Sequence, residues 1–227
     1  HVVEPPGLFA GHLAAEWKSR APRIVRKSDG TDVWLYEGQQ LMNIGLNAVV
    51  GRPPEEYGVE PTSFDQLRPG CFDVDERARD MNANGVLASM CFPSFPGFAG
   101  RLFATHPDKA FAADLIRAYN DWVGEEYCVV APDRLIGLGL IPWSSIYDAL
   151  AELKHCADMG LKGIVLGGFP NGSGHPTPED DRFWSAALDM RMPIPIGRGE
   201  GAHAGGIQKA GLIGGQRTHD HFILVPA

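Results

Sequence analysis

The rhythm of apolar and polar positions changes near residue 73. Before it the chain is rich in Pro and Gly and only locally periodic. A short helix is predicted through Leu8–Trp17. Ile24–Val25, the turn Ser28-Asp29-Gly30 and Val33–Tyr36 predict a hairpin, because Asp-Gly supplies the positive φ that a tight turn needs. Gly51–Gly70 is mostly turn chemistry and reads as an excursion covering something else. Beyond it the pattern alternates. Asp73-Val74-Asp75-Glu76 is a capping box that opens a helix ending near Asn84-Gly85. Then come the apolar run Gly85–Phe92, an amphipathic helix over Asp108–Val129 and the apolar run Leu135–Ile141. A helix over Ser144–Met159, closed by Gly160, leads to Gly163–Leu166. Pro178 opens a helix over Glu179–Met190, and Pro193–Ile196 and Phe222–Val225 are further runs.

Runs that are apolar on both faces read as strands buried on both sides, as in parallel sheets. From Leu135 onward they start about 27 to 31 residues apart, the length of one strand-plus-helix unit. Such repeats imply a parallel sheet covered by helices, a rule that a (β/α)8 barrel and a doubly wound sheet both satisfy. The glycines of Gly197–Gly201 lack both G-x-G-x-x-G spacing and a Lys-Ser/Thr ending, which counts against a nucleotide-binding sheet. Val86–Met90, Leu135–Leu140, Gly163–Leu166 and Pro193–Ile196 are therefore predicted as neighbouring parallel strands, with more than half of their residues buried.

Composition narrows the class. The 227 residues are 44% hydrophobic and 21% charged, which excludes disordered, collagenous and disulfide-scaffold proteins. Twenty basic against 28 acidic residues give a net charge of −8 with no basic run, so no nucleic acid is expected as a partner. No apolar stretch approaches the roughly 18 residues of a membrane span. Cys71, Cys91, Cys128 and Cys156 are scattered without a C-x-x-C pair, and a reducing, cytoplasmic setting is expected. The chain opens at His1 with neither Met nor a secretory pattern, and further residues are expected upstream.

In parallel folds functional groups gather past the carboxyl ends of the strands. Four such places can be read: Pro93–Phe98, Pro142-Trp143, Gly167–Pro170 and Gly197–Glu200. Their aromatic and Pro-rich character suits a small-molecule substrate that is apolar or aromatic. Alternatively, the rings simply plug the end of the sheet.

Three segments in order, His1-Val2-Val3-Glu4-Pro5-Pro6, Met90–Pro96 and Ala118-Tyr119-Asn120-Asp121-Trp122, resemble the amidohydrolase-related family. This is the branch that holds the decarboxylases of aminocarboxymuconate semialdehyde and of resorcylate. The resemblance runs from His1 to about Pro193. It implies a (β/α)8 barrel with a divalent metal, zinc or manganese, at its top. It also implies hydrolysis of a C–N or C–O bond, or non-oxidative decarboxylation, of a small planar or aromatic acid. His1 matches the second ligand of the family's first-strand pair, whose acidic partner belongs two residues upstream. Glu4 matches the family's Glu before Pro and either orients the site or fixes the turn. Phe95 and Phe98 would grip the substrate, and Arg101 either pairs with its carboxylate or is a surface cation at a helix start.

The family's fifth-strand His is missing, since Pro193–Ile196 runs directly into Gly197-Arg198. His203 is the nearest substitute metal ligand. His219-Asp220-His221 has metal-type spacing but precedes the run Phe222–Val225, at the wrong end of a strand, and reads as a solvated turn. His12, His106, His155 and His175 read as surface residues, and Asn120 and Asp121 as a helix-to-loop contact positioning an insertion. The expectation is one barrel domain over residues 1–227, with about 18–72 inserted after the first strand. Its later strands are expected to be missing or discontinuous, with segments closed up around Ile196–Gly199 and between Gly205 and Gln216. A homodimer is expected by analogy with other barrels. A reading from another class is a metal-free barrel serving as a binding or structural subunit, which the missing fifth-strand His would favour.

Overall fold

A computed structural model of the chain describes residues 2–41, 53–56 and 62–195. Its centre is the segment 135–140, which is interrupted at Leu138 into two short strands, β5 (Leu135–Gly137) and β6 (Gly139–Leu140). The first half pairs in parallel with β4 (Ser89–Cys91), with Ser89 opposite Leu135 and Cys91 opposite Gly137. The second half pairs in parallel with β7 (Ile164–Val165), with Gly139 opposite Ile164. Each neighbour therefore engages the central segment at a different height, the stagger that a closing parallel sheet requires. On the far side of β7, the Ile164 N–H donates to the Pro193 carbonyl at 3.0 Å. The three segments from β4 to β7 thus lie side by side in parallel, whereas the predicted fourth strand, Pro193–Ile196, is not strand over its described residues, of which only Pro195 is buried, and meets β7 through this one bond. They do not form a closed barrel among the described residues.

Helices cover this sheet, and their starts are set locally. α2 (Val74–Ala83), α4 (Lys109–Trp122) and α5 (Ile146–Asp158) are opened by Asp73, Asp108 and Ser145, each accepting the N–H three residues on. α6 (Asp181–Asp189) follows a single 3-10 turn at Pro178–Asp180. α4 buries Phe111, Leu115, Ile116, Tyr119 and Trp122 on one stripe, which accounts for its seat against the central strands.

A seam of buried polar groups holds α4 to that sheet. The Asn120 Nδ2 donates to the Leu140 carbonyl at 2.9 Å, and the Leu140 N–H donates to Asn120 Oδ1 at 2.7 Å. Successive N–H groups of a strand point to opposite sides. Gly139 N–H goes to the β7 side, onto the Gly163 carbonyl, so Leu140 points toward β4, whose pairing has ended at Gly137. Asn120 takes the place of the missing ladder partner. Its amide also donates to buried Glu152 at 2.7 Å, and Glu152 in turn receives Arg117 at 2.6 Å. The expected helix-to-loop contact is thus a helix-to-strand clamp, and Asp121 pairs with His155 of α5 at 2.6 Å instead.

Other expectations change as well. Residues 86–88 are not strand: Leu87 is 85% exposed, and the Arg134 guanidinium occupies the Val86 and Leu87 carbonyls at 2.8 and 3.0 Å. The predicted majority of buried residues fails for Val86–Met90, none of which is fully buried. The long helix ends at Trp122, and Val123–Tyr127 continues as one wider π turn. Near the start, α1 (Leu8–His12) stops where Leu13 turns extended, and Ala15–Arg20 is a 3-10 segment.

The predicted hairpin is present, β1 (Arg23–Arg26) antiparallel to β2 (Asp32–Tyr36), and a third strand, β3 (Gln39–Leu41), joins through the turn Glu37-Gly38. This hairpin sheet packs into the core. Trp34 and Tyr36 are buried in the main core beside Phe9, Phe103 and Phe111. α3 (Arg101–Ala104) completes the described helices.

Replacing Asn120 with Ala leaves Leu140 N–H, Leu140 C=O and Glu152 each short of a buried partner. Stability should fall by about 3 kcal/mol or more, read by urea unfolding, because the two Leu140 groups are orphaned at about 1–3 kcal/mol each and Glu152 is left with Arg117 alone.

Candidate functional site

The chain's first described residues run past the carboxyl end of β4. The Val2 N–H donates to the Phe92 carbonyl and the Val3 N–H to the Cys71 carbonyl, each at 3.0 Å. This delivers Glu4 under the loop that follows β4. Glu4 is 1% exposed, and its two oxygens accept the N–H groups of Ser94 and Phe95 at 2.8 and 2.9 Å. Burial drives its pKa up from 4.5 to about 7, against the lowering effect of those two hydrogen bonds. Tyr119 of α4 lies close enough that the Glu4 charge adds to the effect of burial in raising the tyrosine's own pKa.

The loop anchored by Glu4 is tightly wound. Gly97, Ala99 and Gly100 all have positive φ, at 70°, 53° and 69°. Ala99 is not a glycine and is fully buried, so its conformation stores roughly 1–2 kcal/mol. A side chain at Gly100 would come within 2.8 Å of Leu140, so the loop folds directly onto β6. The loops after β6 and β7 meet it there. Trp143 lies across Gly167, where any side chain would collide with its indole, and against Gly168, where a Cβ would sit 3.1 Å from the ring; Ala99 borders the Gly167 position. Three of the four rim segments read from the sequence thus converge at the carboxyl ends of the strands. The fourth, Gly197–Glu200, lies outside the described residues.

The individual side chains divide differently. Phe95 stacks on Trp34 with ring centroids 4.2 Å apart and meets Phe9 and Phe103 edge-on, so it is committed to the insertion's aromatic cluster. Phe98 is half-buried against Phe92. Arg101 is exposed at the start of α3. Glu4 has both oxygens engaged by backbone. His1 and His203 lie outside the described residues, as do His219 and His221. Among the described residues no three His, Cys, Asp or Glu side chains converge as metal ligands.

Three histidines read as surface residues are in fact partnered. His12 meets Glu126 at 2.9 Å, His155 meets Asp121, and His106 accepts the Asp108 N–H at 3.1 Å. Only His175 is exposed, in the loop after β7. All four cysteines are free, and burial raises the thiols of Cys71, Cys128 and Cys156, which argues against a thiolate nucleophile at those positions. No helix among the described residues is long and apolar enough to cross a membrane. Sequence reasoning missed Trp143 as a structural wall. The signal was available in the Gly167-Gly168 pair, since two glycines after a buried strand mark a close approach.

A family model described as amidohydrolase matches residues 12–219 of this chain. The chain is 29% identical over 124 residues to 2-amino-3-carboxymuconate-6-semialdehyde decarboxylase of Caenorhabditis elegans, covering 46% of this chain and 29% of that enzyme. A crystal structure of an amidohydrolase from Mycobacterium avium subsp. paratuberculosis K-10 shares the fold with a TM-score of 0.65 at 16% identity. That match covers 86% of this chain and 56% of the mycobacterial one. A 2,6-dihydroxybenzoate decarboxylase from Rhizobium is 26% identical and covers 57% of this chain and 42% of its own, but its TM-score is 0.45. The chain thus spans little more than half the length of these relatives, or less.

Two outcomes follow from this geometry. Gly167→Ala should displace the Trp143 indole, change the near-ultraviolet circular dichroism and cost about 1–3 kcal/mol as an overpacking change. Gly11→Ala, which points into open space, should stay within about 0.5 kcal/mol of the parent. For Glu4 the sign runs toward acid. Between pH 4.5 and about 7 the folded chain holds a proton that the unfolded chain has released, so the group favours folding more as pH falls through that window and less as it rises. Glu4→Gln should flatten that slope in denaturation measured from pH 5 to pH 8.

Proposed function

Because the chain belongs to the amidohydrolase family, we propose that it acts as a metal-dependent enzyme removing a carboxyl group, without oxidation, from a small planar or aromatic acid. The supporting observation is the mouth itself. At the carboxyl end of the parallel strands, Trp143 lies flat across Gly167-Gly168 and faces a tightly anchored Pro93–Phe98 loop. Flat apolar walls around the ends of parallel strands suit a planar ligand. The decarboxylase activity named for the Caenorhabditis elegans relative supports the choice of reaction over hydrolysis of a C–N or C–O bond.

In this reading the complete fold is a (β/α)8 barrel, of which the parallel strands β4 to β7 are one side. His1 and His203 are the proposed ligands of a divalent metal, zinc or manganese, which when bound would polarise the substrate's carboxylate or carbonyl. Phe98 provides apolar contact at the rim, and Arg101, exposed beside it, pairs with the acid's charge. Phe95 and Glu4 act from behind the loop: the ring fixes it to the insertion and the carboxylate fixes its backbone. Water is excluded at this end by the loop's fold onto β6 and by the indole over the glycines.

The test is metal analysis of the complete purified protein together with carbon dioxide release from a panel of hydroxybenzoates and unsaturated amino acids of the muconate type. The expected result is bound zinc or manganese and turnover that a chelator abolishes and the metal restores. His1→Ala should then lower metal content and reduce turnover at least a hundredfold, with the thermal transition kept. Hydrolysis of amide or ester analogues without carbon dioxide release would move the assignment to the family's hydrolytic chemistry. Ligand binding with neither metal nor turnover would leave the binding-subunit reading.

A further inference from the structure

Glu4 combines two features that pull in opposite directions. It is buried as deeply as any core residue, yet each of its oxygens faces a backbone N–H, from Ser94 at 2.8 Å and from Phe95 at 2.9 Å. Two donors aimed at two oxygens are met best by the ionised carboxylate, whose oxygens are both strong, charge-assisted acceptors. Protonation leaves one of them a weaker hydroxyl acceptor, and an amide replaces it with a donor that meets another donor. Burial meanwhile favours the protonated form, bringing the titration to about pH 7.

The loop that these bonds anchor also has turns of its own, with the Gly97 N–H donating to the Ser94 carbonyl at 3.2 Å and the Gly100 and Leu102 N–H groups to the Gly97 and Pro96 carbonyls, each at 3.0 Å, but its backbone is strained. Within four residues it carries Gly97, Ala99 and Gly100 in the left-handed region, and Ala99 has no glycine's freedom to be there. Beyond the two Glu4 bonds, the loop is fixed by the Phe95 stack on Trp34 and by its contacts with Leu140 and the Gly167–Trp143 corner.

We propose that Glu4 is the positioning residue of the mouth. Its ionised carboxylate, acting through the Ser94 and Phe95 N–H groups, holds the 93–100 loop against Trp143, and proton uptake by Glu4 releases one anchor and lets the mouth relax. Among the described residues, the titratable group facing Glu4 is Tyr119 of α4. Tyr119 is itself deeply buried, with its pKa raised well above the ordinary value, so it stays neutral throughout the range in which Glu4 titrates. The reading of this mouth as a substrate site is needed only for the consequence in catalysis, since the loop itself is observable without metal or substrate.

The experiment follows backbone amide and indole N–H signals of the complete protein by NMR, without metal or substrate, from pH 5.5 to pH 8.5. In the wild type, Ser94, Phe95, Ala99 and the Trp143 indole should move together through one transition with a midpoint near pH 7. Glu4→Gln should show no such transition and should resemble the acid form of the wild type at every pH. Amide exchange of Ser94 and Phe95 in that variant, compared at equal pH, should be at least tenfold faster, while α5 amides stay protected. Glu4→Asp, which keeps the charge and shortens the reach, should retain a transition. Flat wild-type signals across this range would overturn the proposal without any variant having to fold. So would a transition confined to residues 94–95 with Ala99 and Trp143 unmoved, because Glu4 would then only fix a turn. If the loop responds as expected but no decarboxylation or hydrolysis is found, the functional reading fails and the positioning role stands.

Discussion

The arrangement depends on a single amide in the place of a strand. β4 pairs with the central segment only as far as Gly137, and the backbone of Leu140 would face a gap on that side. Asn120 fills it with one donor and one acceptor, matched to the one carbonyl and one N–H that Leu140 presents. An unpaired pair of backbone groups at that depth would cost about as much as a small domain's margin of stability allows. The same side chain reaches Glu152, which ties α5 to α4, so strand stagger and helix placement share one origin. The gap also has a consequence further on: because β4 diverges there, its continuation is free to become the loop that crosses over Leu140.

That loop links the fold to chemistry. Its backbone is wound through left-handed conformations that an isolated segment would not keep, and four separate supports hold it: Glu4 below, Trp34 behind, Leu140 beneath Gly100, and the glycine pair under Trp143. None of the four is a neighbour in sequence. Strain concentrated where parallel strands end, and compensated from elsewhere, is the usual condition of a preorganised site. The insertion takes part in this. Its Trp34 and Tyr36 belong to the same core as Phe103 and Phe111, so the hairpin is a wall behind the mouth.

Membership of the amidohydrolase family and the shared fold with the mycobacterial structure agree with a mouth at the carboxyl end of parallel strands. They do not by themselves choose a reaction, since one fold hosts many chemistries and function resides in the site. What this site adds is specific to its residues: flat walls, an exposed Arg101 at the rim, and a buried carboxylate used for holding backbone. Glu4, read from its motif as orienting the site or fixing a turn, accepts the Ser94 and Phe95 N–H groups of the loop through its two oxygens.

The sequence by itself determined what local physics decides. Asp73, Asp108 and Ser145 open helices because a cap acts over three residues, and Asp29-Gly30 turns the hairpin because its φ preference is its own. The doubly apolar runs announced buried parallel strands, and the rim segments after them were legible for the same reason. Where strands begin was less so, because Val86 and Leu87 look like strand until Arg134, 47 and 48 residues away, takes their carbonyls. Only the tertiary structure decided that Asn120 completes a ladder 20 residues away, that Phe95 faces the insertion, and that Glu4 grips amides 90 and 91 residues distant. Each of those bonds joins groups whose separation is set by the whole packed core, and no pattern of neighbouring residues encodes which distant donor a buried acceptor will meet.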